Sequence, residues 1–272
     1  MGFLNHITLI ANSLWITTAA LFGIVVFRYV MFAGFAYVLC WKWKRKAWAH
    51  KRVNAAYPDP KIMRAEIKWS TLTSIIFAAT GTFLVYAWQT GIVPVYWDIK
   101  EYGYGYFVFS IFLLMFLHDT YFYFVHRWMH RPTLYRLIHK IHHDSRNPTP
   151  WAAFSFHPLE AFLEALILPV LAFFIPAHPF AFLSFLMIMT ASSVINHLGY
   201  ELYPAGFYRN PLLKWWIGAT HHQMHHQKVT CNFGLYFTFW DWLLKTNHPD
   251  HPQMFDELKQ RTAETHAATV SG

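Results

Sequence analysis

Long runs without a charged residue constrain this chain more than any other feature. From Ile7 to Phe27 there is no charge, Arg28 interrupts, and Tyr29 to Trp41 is again uncharged. About 20 apolar residues suffice for a helix to cross a bilayer core of roughly 30 Å. In lipid such a run must be a helix, because its backbone N–H and C=O groups have to bond within the segment. Trp69 to Trp97 is a second run, most apolar from Ile75 to Trp88, and Tyr104 to Leu117 is a third. Ala161 to Ile175 and Phe180 to Ile195 are shorter and meet at Ile175-Pro176-Ala177-His178-Pro179. That pair reads as a helical hairpin that crosses or dips deeply into the bilayer. Arg28 is expected to snorkel or to face a polar interior. No Lys or Arg precedes the first run, which is also too long for a signal-peptide core, so a retained span is expected.

Charge sets the orientation. Trp41 to Lys68 holds nine basic residues, Lys42, Lys44, Arg45, Lys46, Lys51, Arg52, Lys61, Arg64 and Lys68, whereas Gln89 to Gly103 holds only Lys100. The positive-inside rule puts the basic loop in the cytoplasm. Trp41, Trp43 and Trp48 interleave with its lysines, which suits a headgroup-level anchor, and no nucleic-acid partner is expected. Charged residues make up 13% of the chain, about half the share in soluble domains. The apolar and aromatic content excludes disorder, and two distant cysteines, Cys40 and Cys231, exclude a disulfide scaffold. The expected fold class is all-α: a multi-pass transmembrane helical bundle of four to five hydrophobic segments, one pair as a hairpin, under a cytoplasmic histidine-rich helical cap. Residues 1–272 read as one integral-membrane domain, with spans over 1–117, the histidine-rich region over 118–246 and a polar, loosely held tail over 247–272.

Thirteen of the 18 histidines lie between His118 and His226, and they are grouped. His126-Arg127-Trp128-Met129-His130 is HxxxH, which on a helix puts both rings within about 40° of each other. His118 lies about 80° from His126 on the same geometry, so this segment can present three imidazoles before Pro132 stops it. His139-Lys140-Ile141-His142-His143 and His222-Gln223-Met224-His225-His226 are both HxxHH, each confining three rings to an arc of about 100°. His221 doubles the first position of the second motif, and His157 and His197 are isolated candidates. Chance would give roughly 0.08 copies of HxxHH in a chain of this composition. Neutral imidazole is the commonest metal ligand. So many are too numerous for one tetrahedral zinc and suit two metals with open positions; iron, copper and zinc all fit such ligands.

Rival chemistries lack their motifs. There is no HExxH, no ExxH, no Gly-rich phosphate loop, no GxSxG and no CxxC. Two cysteines cannot supply four-cysteine iron–sulfur ligation. Asp119, Glu160 and Asp241 are read either as acceptors for the N–H groups of metal-bound imidazoles or as helix caps and interface charges.

With these residues in hand, the sequence resembles the fatty acid hydroxylase/sterol desaturase superfamily. The likeness runs from His118 to Thr246 through HRWMH, LYRLIHKIHHDSRNPTPWAAFSFHPLE, NHLGYE, HHQMHH and NFG…FWDWLLKT. It implies a multi-pass membrane enzyme with a histidine-bound di-iron centre, two Fe ions that zinc can replace in preparations, which uses O2 to hydroxylate or desaturate a lipid. Ligation by His126, His130, His139, His142, His143, His222, His225 and His226 is implied, with His197 as the extra ligand and His157 and His221 as further candidates. The stretch from HKIHH through PTP to FHPLE is most similar to the sterol C5-desaturase branch. The doubled His221-His222 is more similar to the C4-methyl oxidase branch, which tends to have a histidine where Phe122 stands. Hydroxylation and desaturation therefore both stay open. No HPGG haem signature is present, so electrons are expected from an external donor, cytochrome b5 or a ferredoxin with its reductase. The implied membrane is the bacterial inner membrane or the endoplasmic reticulum, with the site facing the cytoplasm. Two readings from other classes compete: a membrane metal transporter, whose histidines would line a path along the spans, and a zinc-dependent membrane hydrolase.

Overall fold

The computed structural model describes residues 14–270. The stretch Ile7 to Ser13 of the first apolar run lies outside them. Four described helices are long and apolar enough to cross a membrane: α1 (Leu14–Trp43), α2 (Pro60–Gln89), α3 (Gly103–Met129) and α5 (Pro179–Asn196). Between α3 and α5 lies α4 (Pro158–Phe174), one residue shorter than α5 and carrying Pro169. No β-strand occurs among the described residues, only isolated bridges.

Local chemistry explains the helix starts. Asp59 caps α2 through the Lys61 N–H at 2.8 Å, with Pro60 in the first turn. Histidines do the same for the hairpin. His157 Nδ1 accepts from the Leu159 N–H and His178 Nδ1 from the Phe180 N–H, both at 3.2 Å, each before a proline. Proline suits this position because its missing N–H would be unbonded anyway. Within α1, Val30–Gly34 and Tyr37–Trp43 take the wider π geometry, which shifts the register of the last turns and brings Trp41 Nε1 2.9 Å from the Leu198 carbonyl.

The tip of the hairpin is tied to the opposite connection of the bundle. His178 Nε2 meets the Trp97 carbonyl at 3.1 Å, Tyr106 donates to Pro176 O at 2.8 Å, and Val95 pairs with Ala177. The α4–α5 turn thus reaches the α2–α3 connection, at the far end of the bundle from the cap. Leu114, Met115 and Phe122 of α3 pack with Ile167, Leu171 and Phe185 of the hairpin to form the main core.

The basic loop lies against the histidine cap. Val53 N–H donates to Gly199 O, Glu201 N–H to Lys51 O, and Asn54 bonds Asn147 and Gln227. Basic residues and histidines therefore share one end of the bundle, as their positions along the chain suggested. The expected loose tail is corrected. Its residues form α7 (His251–Val270), in which His251, Phe255 and Leu258 are buried. Their i, i+4, i+7 spacing makes one apolar stripe, and Lys259 and Arg261 bind the carbonyls of Glu201 and Arg52.

Candidate metal centre

The cap assembles its histidines from four short pieces. The last turn of α3 carries His126, and His130 follows at its C-terminal cap. The chain then reverses at Pro132, and the irregular helix Tyr135–His139 with Lys140–His143 presents His139, His142 and His143. His197 is the first residue beyond α5, and α6 (Ala219–Lys228) presents His222, His225 and His226. Two groups result. His126, His130, His139, His143 and His225 form one, and His142, His197, His222 and His226 the other. The consecutive pairs split between them: His142 and His143 serve different groups, as do His225 and His226. This explains the HH doublets of both HxxHH motifs. The groups are adjacent, with the His143 and His226 rings 4.7 Å apart.

The donor atoms fit a metal in each group. In the first, Nε2 of His139 lies 3.1 Å from those of His126 and His143, and His130 lies 3.3 Å from His126. In the second, four of the six Nε2–Nε2 pairs lie 3.0 to 3.3 Å apart. Ligand nitrogens about 2.0–2.1 Å from one tetrahedral metal would stand roughly 3.3 Å apart. Hydrogen bonding does not account for these pairs. His142 Nδ1 donates to Ser155 O and His197 Nδ1 to Ser193 O. Both protons are therefore on Nδ1, and the two Nε2 lone pairs face each other at 3.3 Å. Such an arrangement needs a cation between them. His225 is in the same state: Nδ1 donates to Cys231 O at 2.7 Å, while its buried Nε2 has no hydrogen-bond partner among the described residues. Burial, reinforced by neighbouring imidazoles, pushes the pKa of His139, His143, His222 and His226 well below the usual range. Burial takes His197 down to about 4. These rings are neutral at pH 7, the form that ligates.

Around the ligands the structure refines what the sequence suggests. Glu160 does accept a hydrogen bond from one of the clustered histidines, His139 Nδ1–H, at 2.6 Å with both side chains buried. Asp119 and Asp241 do not, and this corrects the expectation for them. Asp119 accepts the backbone N–H groups of Leu235 and Tyr236, and Asp241 those of Phe233 and Gly234 together with the Thr246 hydroxyl. They fold the loop that presents the Phe233 carbonyl to His126 Nδ1 at 2.8 Å. The direct acceptors of His126, His142, His197 and His225 are backbone carbonyls, which residue type cannot reveal. Glu201 was also missed as a positioning group. Its carboxylate takes the Thr220 N–H at 3.0 Å and the Thr220 hydroxyl at 2.7 Å. It thereby caps α6 where the helix dipole favours an anion.

Three proposed ligands fall outside both groups. His118 lies two turns back along α3, about 12 Å along the axis from His126, and its Nδ1 pairs with the Tyr236 hydroxyl at 3.1 Å. His157 spends its Nδ1 lone pair on the start of α4. His221 turns to Asn247, 3.1 Å away, and to the His251 ring. Nor do the histidines trace a path along the spans, as transport would require. His178, at the far end, is tied into the hairpin turn.

Beside the groups lies an apolar cavity of about 410 Å³ between α1, α2, α3 and the hairpin. Phe122 and Phe156 line it and also pack tilted against clustered histidines, Phe122 with its ring centroid 4.9 Å from that of His126 and Phe156 5.1 Å from that of His142.

The model of the fatty acid hydroxylase family matches residues 111–246, half of the chain, and takes in all nine clustered histidines. The chain belongs to the fatty acid hydroxylase family. Within this family it is similar to human lathosterol oxidase, 32% identical over 66% of this chain and 59% of the relative. It is also similar to a Delta(7)-sterol 5(6)-desaturase of Gibberella zeae, 28% identical over 67% and 56%. The Saccharomyces cerevisiae Delta(7)-sterol 5(6)-desaturase is 26% identical over 95% of this chain and 66% of its own length. The chain thus spans little more than half the length of the first two relatives. No solved structure matches it significantly.

Proposed function

We propose that this fatty acid hydroxylase family member is an O2-dependent membrane oxidoreductase that desaturates a sterol at a histidine-bound di-iron centre. One observation carries the reading: nine imidazoles, in two adjacent groups with converging Nε2 atoms, stand behind Phe122 and Phe156, which line an apolar cavity of about 410 Å³. His126, His130, His139, His143 and His225 would hold one metal, and His142, His197, His222 and His226 the other. When bound, the iron pair supplies the power to oxidise an unactivated C–H bond with O2 and external electrons. The chain's own residues do the rest. Glu160 and the carbonyls of Phe233, Cys231, Ser155 and Ser193 fix the tautomer and tilt of the ligands. Phe122 and Phe156 exclude water and set the distance between cavity and ligands, so that one carbon is held within reach.

Desaturation rather than hydroxylation is supported by the names of the sterol 5(6)-desaturase relatives. The electron donor would be cytochrome b5 or a ferredoxin with its reductase, docking at the basic end where the cap lies. That end would face the cytoplasm, from the endoplasmic reticulum or from a bacterial inner membrane. The test is sterol analysis of cells with and without the protein, supplied with lathosterol. Loss of two hydrogens is expected. Gain of one oxygen would make the enzyme a hydroxylase, and an unchanged sterol pool with oxidation of another lipid would refute the sterol substrate.

A further inference from the structure

We propose that Arg28 anchors the substrate's single oxygen function at the metal-facing end of the cavity, so that the lipid binds polar end first and is oxidised within a few bonds of that oxygen. The inference rests on the reading of the cavity as the lipid site. It begins with an unpaired cation in the middle of a span. Arg28 is only 7% exposed, lines the cavity, and makes no ion pair among the described residues; its buried Nε has no hydrogen-bond partner there. A guanidinium in such surroundings is costly unless something accepts from it, and its protein contact is the face of Phe154, 5.9 Å from the ring centroid. No acceptor pairs with it among the described residues, and one is expected from the ligand.

Position decides the orientation. Phe154 precedes Ser155, whose carbonyl holds His142. The other polar groups of the cavity stand at the same end: His118, next to Phe122, and Ser193, whose carbonyl holds His197. The far walls are apolar. Leu21 lies seven residues before Arg28, about 10 Å further from the cap, and Leu84 lies on α2 about 21 Å beyond Ser70. Ser70 itself is bonded to the Trp151 carbonyl near the cap. One end of the cavity is thus polar and borders the ligands, and the other takes hydrocarbon. Glu164 also lines the cavity, and its carboxyl group offers an alcohol a second hydrogen-bond partner. A hydroxyl, which both accepts and donates, fits this set.

The test is equilibrium binding of tritiated lathosterol to the purified full-length protein, in competition with the analogue lacking its hydroxyl, together with kcat and KM for both. Wild-type protein is expected to bind the alcohol roughly tenfold or more tightly, as one buried charge-assisted hydrogen bond provides. Arg28→Met should raise KM for lathosterol, leave the deoxy analogue unaffected and keep the metal content, while Arg28→Lys should restore part of the preference. Equal wild-type binding of the two sterols would overturn the proposal without any variant, and so would a preference that survives Arg28→Met. If neither sterol binds, the sterol reading fails. A long-chain alcohol preferred over its alkane would then still support Arg28 as the anchor, and a fatty acid preferred over the alcohol would overturn it.

Discussion

Replacing Glu160 tests whether the groups around the histidines tune metal binding. The carboxylate reaches His139 Nδ1 at 2.6 Å, both side chains are buried, and its second oxygen has no partner among the described residues. One oxygen therefore carries the effect. A hydrogen bond to a charged group is worth about 1.5–3 kcal/mol, which is a factor of roughly 10 to 150. Removing the acceptor of a ligating histidine typically costs 10–100-fold in metal affinity, so the two scales agree. Glu160→Ala is expected to weaken metal binding by about 10–100-fold. Glu160→Gln keeps a neutral acceptor and should lose less, roughly 3–10-fold. Glu164→Gln, on the same helix but in the cavity wall, should leave affinity unchanged. Chelator competition on the reconstituted protein reads all three. Wild-type affinity in Glu160→Ala would refute the argument that this carboxylate orients His139.

Other expectations follow from the same contacts. Asp241→Ala strips the acceptor from two buried N–H groups, each worth about 1–3 kcal/mol when left unbonded; thermal stability and metal affinity should fall together, and metal loss with an unchanged Tm would contradict the loop-clamp role. His118→Ala should retain its metal where His126→Ala loses it, which elemental analysis decides. Burial, and then the neighbouring His221 and His248, hold the pKa of His251 well below the usual value. Because the undocked histidine titrates near 6.5, the docked α7 helix should lose stability as pH falls through about 6.5, by up to roughly 1.4 kcal/mol per pH unit. Hydrogen exchange of α7 at pH 7.5 and 5.5 tests this; equal protection at both would refute it.

Much of the site was legible because helical spacing and ligand spacing coincide. HxxxH and HxxHH put rings on one face, and the helices that formed there kept them together. Spacing failed where angle was counted without rise. His118 lies near the face of His126 but two turns away, in the cavity. It failed again at His157, because a histidine before proline is equally a helix start, and that local bond wins. The partners of the ligands were mostly illegible, since any residue offers a carbonyl and only the fold chooses Phe233, Cys231, Ser155 and Ser193. Asp119 and Asp241 stand out by their charge, yet both act on the backbone amides of one loop, which is distant in sequence from Asp119 and only seven to eight residues from Asp241. Helix α7 was hidden by polar composition, although His251, Phe255 and Leu258 carried its stripe.

The central claim is that the HH doublets divide nine imidazoles between two metals. Metal stoichiometry, measured on purified wild-type protein and on paired variants, tests it most directly. Two ions per chain are expected in the wild type and one in each of two variants, His139→Ala with His143→Ala, and His197→Ala with His222→Ala. A single ion in the wild type, or two ions kept by either variant, would contradict the account.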